Sequence, residues 1–321
     1  GTIEIIHANF RVGSTAKRLP RWLLDVREGS FAIRDSSLEG PSFEKPGYEG
    51  LIHFSSARSA ATPTKPEQTF YGEIQNSFLR TGKSALSGDL VSRNLIVENS
   101  VLAANGRVFD LRIPSTSSLP PTIDLKACTL AAGEEYFHFE TNFGSETGKK
   151  ATSRVRVFAE NTVFAPPLET TGKSGDKPVL IGGLPQTLIG DAVAWWEYAC
   201  AYSNLIGLPN SERSGGGKGN PLAEWRQVAG PAHIVRSVAN ANAVLLPRDL
   251  PLAKELNQSD FRLKNEAEAA TWSDTGTPIG AILAAQAVPP PVSSAASKAK
   301  TPAGRKSALP KKAVPTPQSG F

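Results

Sequence analysis

A degenerate four-residue repeat recurs along the chain and strongly limits the folds open to it. Each copy contains, in order, a polar residue or alanine, a small residue, a variable residue and a large apolar residue. Six copies begin at Asp35, Asn76, Asn99, Ala127, Asn161 and Ala199, and an earlier candidate begins at His7. The small residues of successive copies are 23 to 41 residues apart. A period of about 20 to 50 residues is typical of solenoids and other repeat arrays.

The residues around each copy alternate between apolar and polar, which is the periodicity of a β-strand. An apolar residue such as Val97 or Leu125 stands two positions before each copy except the last, where Glu197 replaces it. A strand that recurs once per turn, with a small side chain always at one place, predicts an all-β parallel β-helix solenoid with irregular coils. Small residues such as Ser100 and Cys128 should then form a column in the interior.

Two further features bear on this prediction. Asn76, Asn99 and Asn161 occupy the first position of their copies, and asparagine tolerates left-handed backbone geometry, so a bend is expected there. Residues 108–112 and 136–140 form a second alternating strand at the same offset from successive copies. The alternative is a two-sheet β-sandwich whose strands are similar by coincidence, and the matching offsets argue against it.

The C-terminal third contains motifs that resemble those of known proteins. Residues 221–228 (PLAEWRQV) predict a short helix that begins at a proline and stops at Gly230. The order AEW (223–225), DFRL (260–263) and PIGA (278–281) resembles the C-terminal ends of bacterial right-handed parallel β-helix proteins of the pectate-lyase-like superfamily. Similar segments occur in large multidomain bacterial proteins, some with an upstream Ser/Thr kinase domain.

The resemblance covers about residues 20–281 and implies a right-handed β-helix. It also slightly favours an extracytoplasmic or cell-surface location. One departure is the EAEAA sequence of residues 266–270, where a Ser-Pro-Ala sequence is usual. Kinase signatures are absent from this chain. The motifs are specific for the fold and say little about activity.

Composition divides the chain into three parts. We predict β-helix coils over residues 1–170, the last coils and a C-terminal cap over 171–281, and a disordered tail rich in Ala, Pro, Ser and Lys over 282–321. The tail carries six basic residues and no acidic one, so the total charge of +5 leaves −1 on residues 1–281. Specific nucleic-acid binding is therefore not expected. The tail either is a flexible extension or contacts anionic surfaces weakly.

Two absences complete this description of the chain. No apolar run reaches the length of about 20 residues that a membrane span requires. The lack of any methionine, including at residue 1, predicts a processed product or a piece of a longer multidomain protein.

The best candidates for catalytic or binding residues lie on the second alternating strands, at residues 108–112 and 136–140. Asp110 and His138 are 28 residues apart, as are Arg112 and Glu140. If the coils stack in register, each pair lies side by side and faces outward. An acid, an imidazole and a guanidinium group could then transfer protons or bind a sugar acid. The alternative, which is the commoner arrangement, is a ladder of ion pairs on a solvated face.

The resemblance carries no catalytic residues over to this chain. Polysaccharide lyases of this fold use clustered aspartates for Ca²⁺ with a Lys or Arg base, and the hydrolases use paired aspartates. The strand positions here hold Glu98, Lys126 and Arg156 instead. We therefore expect no cofactor and no metal. Cys128 and Cys200 share one repeat position two coils apart, which places them about 9–10 Å from each other, so we predict two free buried thiols.

The tryptophans of the C-terminal third have two interpretations. They either cover the open end of the solenoid, which we favour, or stack against sugars. The four are Trp195, Trp196, Trp225 and Trp272.

The favoured function is a non-catalytic β-helix scaffold or recognition module of a larger multidomain protein. The alternative is a carbohydrate-active or carbohydrate-binding protein acting on acidic polysaccharide, which as an enzyme would be a lyase or a glycoside hydrolase. The expected partners are a glycan or cell-surface component, or other domains of a longer chain.

Overall fold

The computed structural model describes residues 1–12, 19–41, 46–55, 70–91, 93–113, 119–141, 154–165, 178–202, 221–229, 234–235, 237–239, 261 and 279–282. The chain divides into one unit at Gly1–Ala285 and another at Gln286–Phe321. Trp272, Gly230 and residues 283–321 of the expected disordered tail lie outside the described residues. The proposed boundary between coils and cap at residue 170 stays a prediction.

The described residues form 22 strands and two short helices. In chain order they are β1 (Thr2–Ile6), β2 (Asn9–Arg11), β3 (Trp22–Arg27), β4 (Ser30–Arg34), β5 (Ser37–Glu39), β6 (Gly50–Ser55), β7 (Phe70–Gln75), β8 (Phe78–Thr81), β9 (Ser84–Asp89), β10 (Arg93–Glu98), β11 (Val101–Ala104), β12 (Arg107–Ile113), β13 (Thr122–Lys126), β14 (Thr129–Ala132), β15 (Glu135–Thr141), β16 (Val155–Glu160), β17 (Val163–Phe164), β18 (Val179–Gly182), α1 (Gln186–Ala192), β19 (Val193–Tyr198), β20 (Ala201–Tyr202), α2 (Pro221–Ala229), β21 (Ile234–Val235) and β22 (Val238–Ala239).

The strands are arranged in three parallel sheets that run the length of the solenoid. Sheet A has the order β1-β4-β7-β10-β13-β16-β19-β21, sheet B has β2-β5-β8-β11-β14-β17-β20-β22, and sheet C has β18-β15-β12-β9-β6-β3. Each strand pairs in parallel with its counterpart in the next coil, as Val97 does with Leu125. The chain is therefore an all-β parallel β-helix solenoid, and the sandwich alternative is excluded.

Each complete coil has three strands, whereas the sequence offsets indicated two. The difference arises because the first two residues of every repeat copy form a bend, which separates a strand of sheet A from a strand of sheet B. The first residue of each copy has a φ between 41° and 51°, which is left-handed backbone. These residues are His7, Asp35, Asn76, Asn99, Ala127, Asn161 and Ala199. The prediction that the asparagines mark a bend is confirmed.

Small polar side chains satisfy the backbone groups inside this bend. The Ser77 hydroxyl accepts the backbone N–H of Ser36 at 3.1 Å and donates to the carbonyl of Gln75 at 2.6 Å. Cys200 has the same contact with the next coil, where its N–H donates to the hydroxyl of Ser237 at 3.2 Å. Ser237 thus belongs to an eighth copy that the sequence analysis did not identify. The column is buried, so water does not compete for these bonds.

The C-terminal coils are filled by large aromatic rings. Trp195 and Trp225 are fully buried, with ring centroids 5.5 Å apart in an edge-on contact, and α2 brings Trp225 into place. The predicted helix at 221–228 is confirmed. The interpretation that the tryptophans cover the open end of the solenoid stays a prediction. Helix α1 was not predicted. Neither helix of the described chain is long and apolar enough to cross a membrane.

Segments from the end of the chain cover the outer face of sheet B. Phe261 and Ile279 are buried there, and the Phe261 ring lies 5.7 Å from that of Phe78. The backbone N–H of Ala281 also donates to the Thr129 hydroxyl at 3.0 Å. Among the described strands, the outer faces of sheets A and C carry the exposed polar side chains that are considered next.

Candidate functional site

The four residues singled out from the sequence meet on the outer face of sheet C. Asp110 pairs in register with His138, and Arg112 pairs with Glu140, as the equal spacings predicted. Buried Phe109, Leu111, Phe137 and Phe139 alternate with them along β12 and β15, so the four polar side chains face outward. We call these residues and their ion-pair partners Asp89, Arg107 and Glu135 the polar site.

Asp110 and His138 belong to a longer column of outward-facing polar side chains on sheet C. In register, Asp25 pairs with His53, His53 with Ser87, and Ser87 with Asp110. The first half of this column was missed by the sequence analysis. Its signal was available, because Asp25 and His53 are separated by 28 residues, the same spacing as Asp110 and His138.

Two arginines bridge carboxylates of the polar site across the coils. Arg107 Nη1 lies 3.2 Å from Asp110 Oδ1, and its Nε lies 3.2 Å from Glu135 Oε2. Arg112 Nη1 lies 3.3 Å from Asp89 Oδ1, and its Nη2 lies 3.7 Å from Glu140 Oε2. Each guanidinium group therefore faces two carboxylates, which restrains both arginines and offsets part of the negative charge.

His138 is the most enclosed member of the polar site, with a side chain that is 13% exposed. Its Nδ1 lies 2.5 Å from Glu135 Oε2, and its Nε2 lies 4.0 Å from Glu140 Oε1. Because a carboxylate accepts, the proton of the first bond resides on Nδ1 in the neutral imidazole. Nε2 then remains a proton acceptor and a potential metal ligand.

A second imidazole is held in a similar way at the other end of the column. His53 Nδ1 lies 2.9 Å from Asp25 Oδ1, and the His53 ring stacks on Trp22 with centroids 4.9 Å apart. The hydrogen bond from His53, together with the nearby Arg27, lowers the pKa of Asp25 below its ordinary range. Asp25 is thus ionised at neutral pH and orients the ring.

The arrangement can support proton transfer, ion binding or recognition of a polar ligand. An imidazole oriented by a carboxylate is a competent proton acceptor, and Asp110 lies beside it. Asp110, His138 and Glu140 also place one ligand atom each within 4.8 Å of one another. By contrast, capture of an acidic sugar by Arg107 or Arg112 would require the sugar to displace carboxylates that already bind them.

The cysteines stand apart from this chemistry. Both are free and buried, as predicted. Burial raises the pKa of the Cys128 thiol to about 12, and burial also raises the pKa of Cys200. A thiol that is protonated and enclosed at neutral pH is a poor nucleophile and a poor metal ligand, so these residues fill the interior column.

The outer face of sheet A carries the aromatic pair Phe158 and Trp196. Their rings are stacked at 4.8 Å with an interplanar angle of 11°, so each covers one face of the other. Burial, and then repulsion from Glu160, raises the pKa of neighbouring Asp124. Because sugars stack on ring faces, the stacked rings of Phe158 and Trp196 offer a sugar less surface than two separate rings would.

Comparison of the chain with models of protein families, with curated proteins and with solved structures finds no match to any of the three. The class of this protein is therefore established by the strand pairing in its own structure. It is a parallel β-helix solenoid with a polar site on sheet C. The narrower resemblance to pectate-lyase-like proteins stays a prediction.

Proposed function

We propose that this protein is a non-catalytic β-helix recognition module, a rigid scaffold that presents the outer face of sheet C to a ligand. The observation that carries the proposal is the bridging of both arginines by carboxylates from different strands. Such bridges contribute little stability each at a partly exposed surface. They do hold charged groups at set positions before any ligand arrives, which lowers the cost of ordering on binding.

The solenoid also spaces the outward-facing side chains of sheet C at regular intervals. Strands of neighbouring coils lie about 4.8 Å apart, so outward residues recur at that interval along the column from Asp25 to His138. A linear array of this kind matches an extended ligand with a repeating structure, and a polysaccharide is the class that we favour. The resemblance to C-terminal regions of multidomain bacterial proteins supports a role beside other domains.

A second candidate function is that of a carbohydrate-active enzyme, acting as a lyase or hydrolase on acidic polysaccharide. Its support is the oriented imidazole of His138 beside Asp110, a pair able to accept and return a proton. Against it stands the engagement of Arg107 and Arg112, which are the groups that would neutralise a sugar acid. The recognition module is therefore the stronger proposal.

Binding and turnover assays on a panel of neutral and acidic polysaccharides separate the two functions. We expect saturable retention of at least one polysaccharide without cleavage. Retention should weaken when Glu140→Lys reverses a charge in the polar site and should persist in Glu160→Lys, which makes the same change on the exposed face of sheet A. Cleavage that disappears in His138→Ala would overturn the non-catalytic proposal and establish the enzyme.

A further inference from the structure

Three potential metal ligands from neighbouring coils converge on the outer face of sheet C. The Asp110 carboxylate, the His138 imidazole and the Glu140 carboxylate each offer one ligand atom, and these atoms lie within 4.8 Å of one another. His138 lies opposite Asp110, and Glu140 follows two positions later on the same face. From this convergence we propose, against the expectation from the sequence, that the polar site binds a divalent metal ion, with Zn²⁺ as the best match.

The hydrogen bond between His138 and Glu135 prepares the imidazole for this role. Glu135 Oε2 lies 2.5 Å from Nδ1, which places the proton on Nδ1 and leaves the Nε2 lone pair available. Nε2 is 4.0 Å from Glu140 Oε1, too far for a direct hydrogen bond. Histidines that bind zinc usually donate their other N–H to a carboxylate or carbonyl in this manner, which fixes the ring orientation.

The remaining contacts hold the carboxylates near the imidazole. Arg107 bridges Asp110 and Glu135, so the first ligand and the group that orients His138 are restrained together. Arg112 lies 3.7 Å from Glu140, whose side chain is 53% exposed. Glu140 is therefore the most adjustable of the three ligands, and solvent can reach the metal from its side.

Charge also favours a divalent cation at this place. Four carboxylates meet two guanidinium groups here, contributed by Asp89, Asp110, Glu135 and Glu140 and by Arg107 and Arg112. With a neutral imidazole, the polar site carries two negative charges in excess. A bound divalent ion would neutralise this excess beside Asp110 and Glu140.

The donor set selects among metals. One imidazole nitrogen with two carboxylate oxygens suits Zn²⁺, or Mn²⁺ as the next choice, while Ca²⁺ prefers six to eight oxygen ligands. Bonds of about 2.1 Å place tetrahedral ligand atoms about 3.4 Å apart, so separations of up to 4.8 Å close by up to about 1.4 Å on binding. Rotation of the exposed Glu140 side chain supplies much of that movement, and water completes the coordination shell.

Isothermal titration of the full chain, stripped with a chelator and titrated with ZnCl₂, tests the proposal. We expect saturable binding of one ion at the polar site and at least 10-fold weaker binding in both His138→Ala and Glu140→Gln. His53→Ala is the matched control, because it removes an imidazole from the same column that is likewise bonded to a carboxylate. This variant should bind Zn²⁺ like the wild type.

Thermal unfolding with and without Zn²⁺ provides a second measurement. At the same Zn²⁺ concentration, the metal should raise the unfolding temperature of the wild type and of His53→Ala by more than that of Glu140→Gln. The Glu140 side chain is about half exposed, so this variant should fold normally. The proposal is overturned if the wild type binds no Zn²⁺, if both polar-site variants bind it unchanged, or if CaCl₂ binds more tightly than ZnCl₂. Zinc binding and polysaccharide retention are measured separately, so either can fail alone.

Discussion

The backbone N–H of Ser77 donates to the side-chain hydroxyl of Ser100 on the next coil at 3.0 Å. The same hydroxyl donates to the carbonyl of Glu98 at 2.7 Å, so a single oxygen serves two backbone groups at the bend between sheets A and B. Ser100 is fully buried. The recurrence of small polar residues at this position follows from these paired bonds.

Replacing Ser100 with alanine should destabilise the solenoid. The substitution leaves the buried Ser77 N–H without its acceptor, which typically costs about 1–3 kcal/mol. Urea unfolding measures the loss, and Ser87→Ala on the outer face of sheet C is the control, with an expected change below about 0.5 kcal/mol. Ser100→Cys should lose less than Ser100→Ala because Cys128 and Cys200 occupy equivalent positions. Equal losses for Ala and Cys would contradict this account.

Introducing asparagine at Ala127 should stabilise the protein. Ala127 has a φ of 50° and lies half-buried beside an amide ladder in which Asn99 Nδ2 donates to Asn76 Oδ1 at 2.8 Å. Asparagine tolerates this left-handed geometry and could extend the ladder, for a gain of about 0.5–1 kcal/mol in the free energy of unfolding.

Ala199 provides the contrast for that prediction. It has nearly the same φ, 51°, but is fully buried. Ala199→Asn should therefore lower the free energy of unfolding, because the new amide would be enclosed. Chemical unfolding of both variants tests the pair of predictions, and a gain in Ala199→Asn together with a loss in Ala127→Asn would refute the explanation.

The repeat was sufficient to predict the parallel solenoid because its backbone requirements recur in every coil. Each bend requires a residue with left-handed backbone followed by a small residue, and the sequence shows this combination at Asn99 and Ser100. The eighth copy at Ser237 was missed because it ends in Ala239, where the other copies have a large apolar residue. Helix α1 was missed because a helix forms its backbone hydrogen bonds within one short segment, so the repeat between coils gives no indication of it.

The candidate site was predictable only as far as strand register determines it. The pairing of Asp110 with His138 follows from equal spacing between coils. The contact of Glu135 with His138 does not, because it joins residues three apart on one strand and depends on side-chain torsions. The bridging role of Arg107 likewise depends on how a long side chain lies across two strands.

Placing a charge at Leu125 should unfold the domain. Leu125 is fully buried and pairs with Val97 on the inner face of sheet A, so Leu125→Asp would enclose an unpaired carboxylate at a cost of several kcal/mol. Lys126→Asp, one position along and exposed, should remain folded. Circular dichroism and urea titration distinguish the two, and a cooperative transition at the wild-type midpoint for Leu125→Asp would contradict the observed register.

Replacing Glu197 with glutamine should remove a component of the pH dependence of stability. Glu197 is buried on β19, two positions before the copy that begins at Ala199, and it accepts a hydrogen bond from Trp195 Nε1 at 2.6 Å. Burial raises its pKa above the ordinary value near 4.5, in spite of the hydrogen bonds from Tyr202 and Trp195 that lower it. The folded state therefore favours the protonated carboxyl, and stability is lost as pH rises from about 4.5 through the raised pKa.

The neutral amide of Glu197→Gln should equal the wild type at low pH and exceed it at neutral pH, by about 1.4 kcal/mol for each unit by which the pKa is raised. Urea unfolding of both proteins between pH 4 and pH 8 gives the difference directly, which cancels the contribution of other carboxylates. Glu160→Gln, an exposed change in the preceding coil, is the control and should leave the pH profile unchanged. A constant difference between Glu197→Gln and the wild type across this range would contradict the prediction, because it would show that folding does not shift the pKa of Glu197.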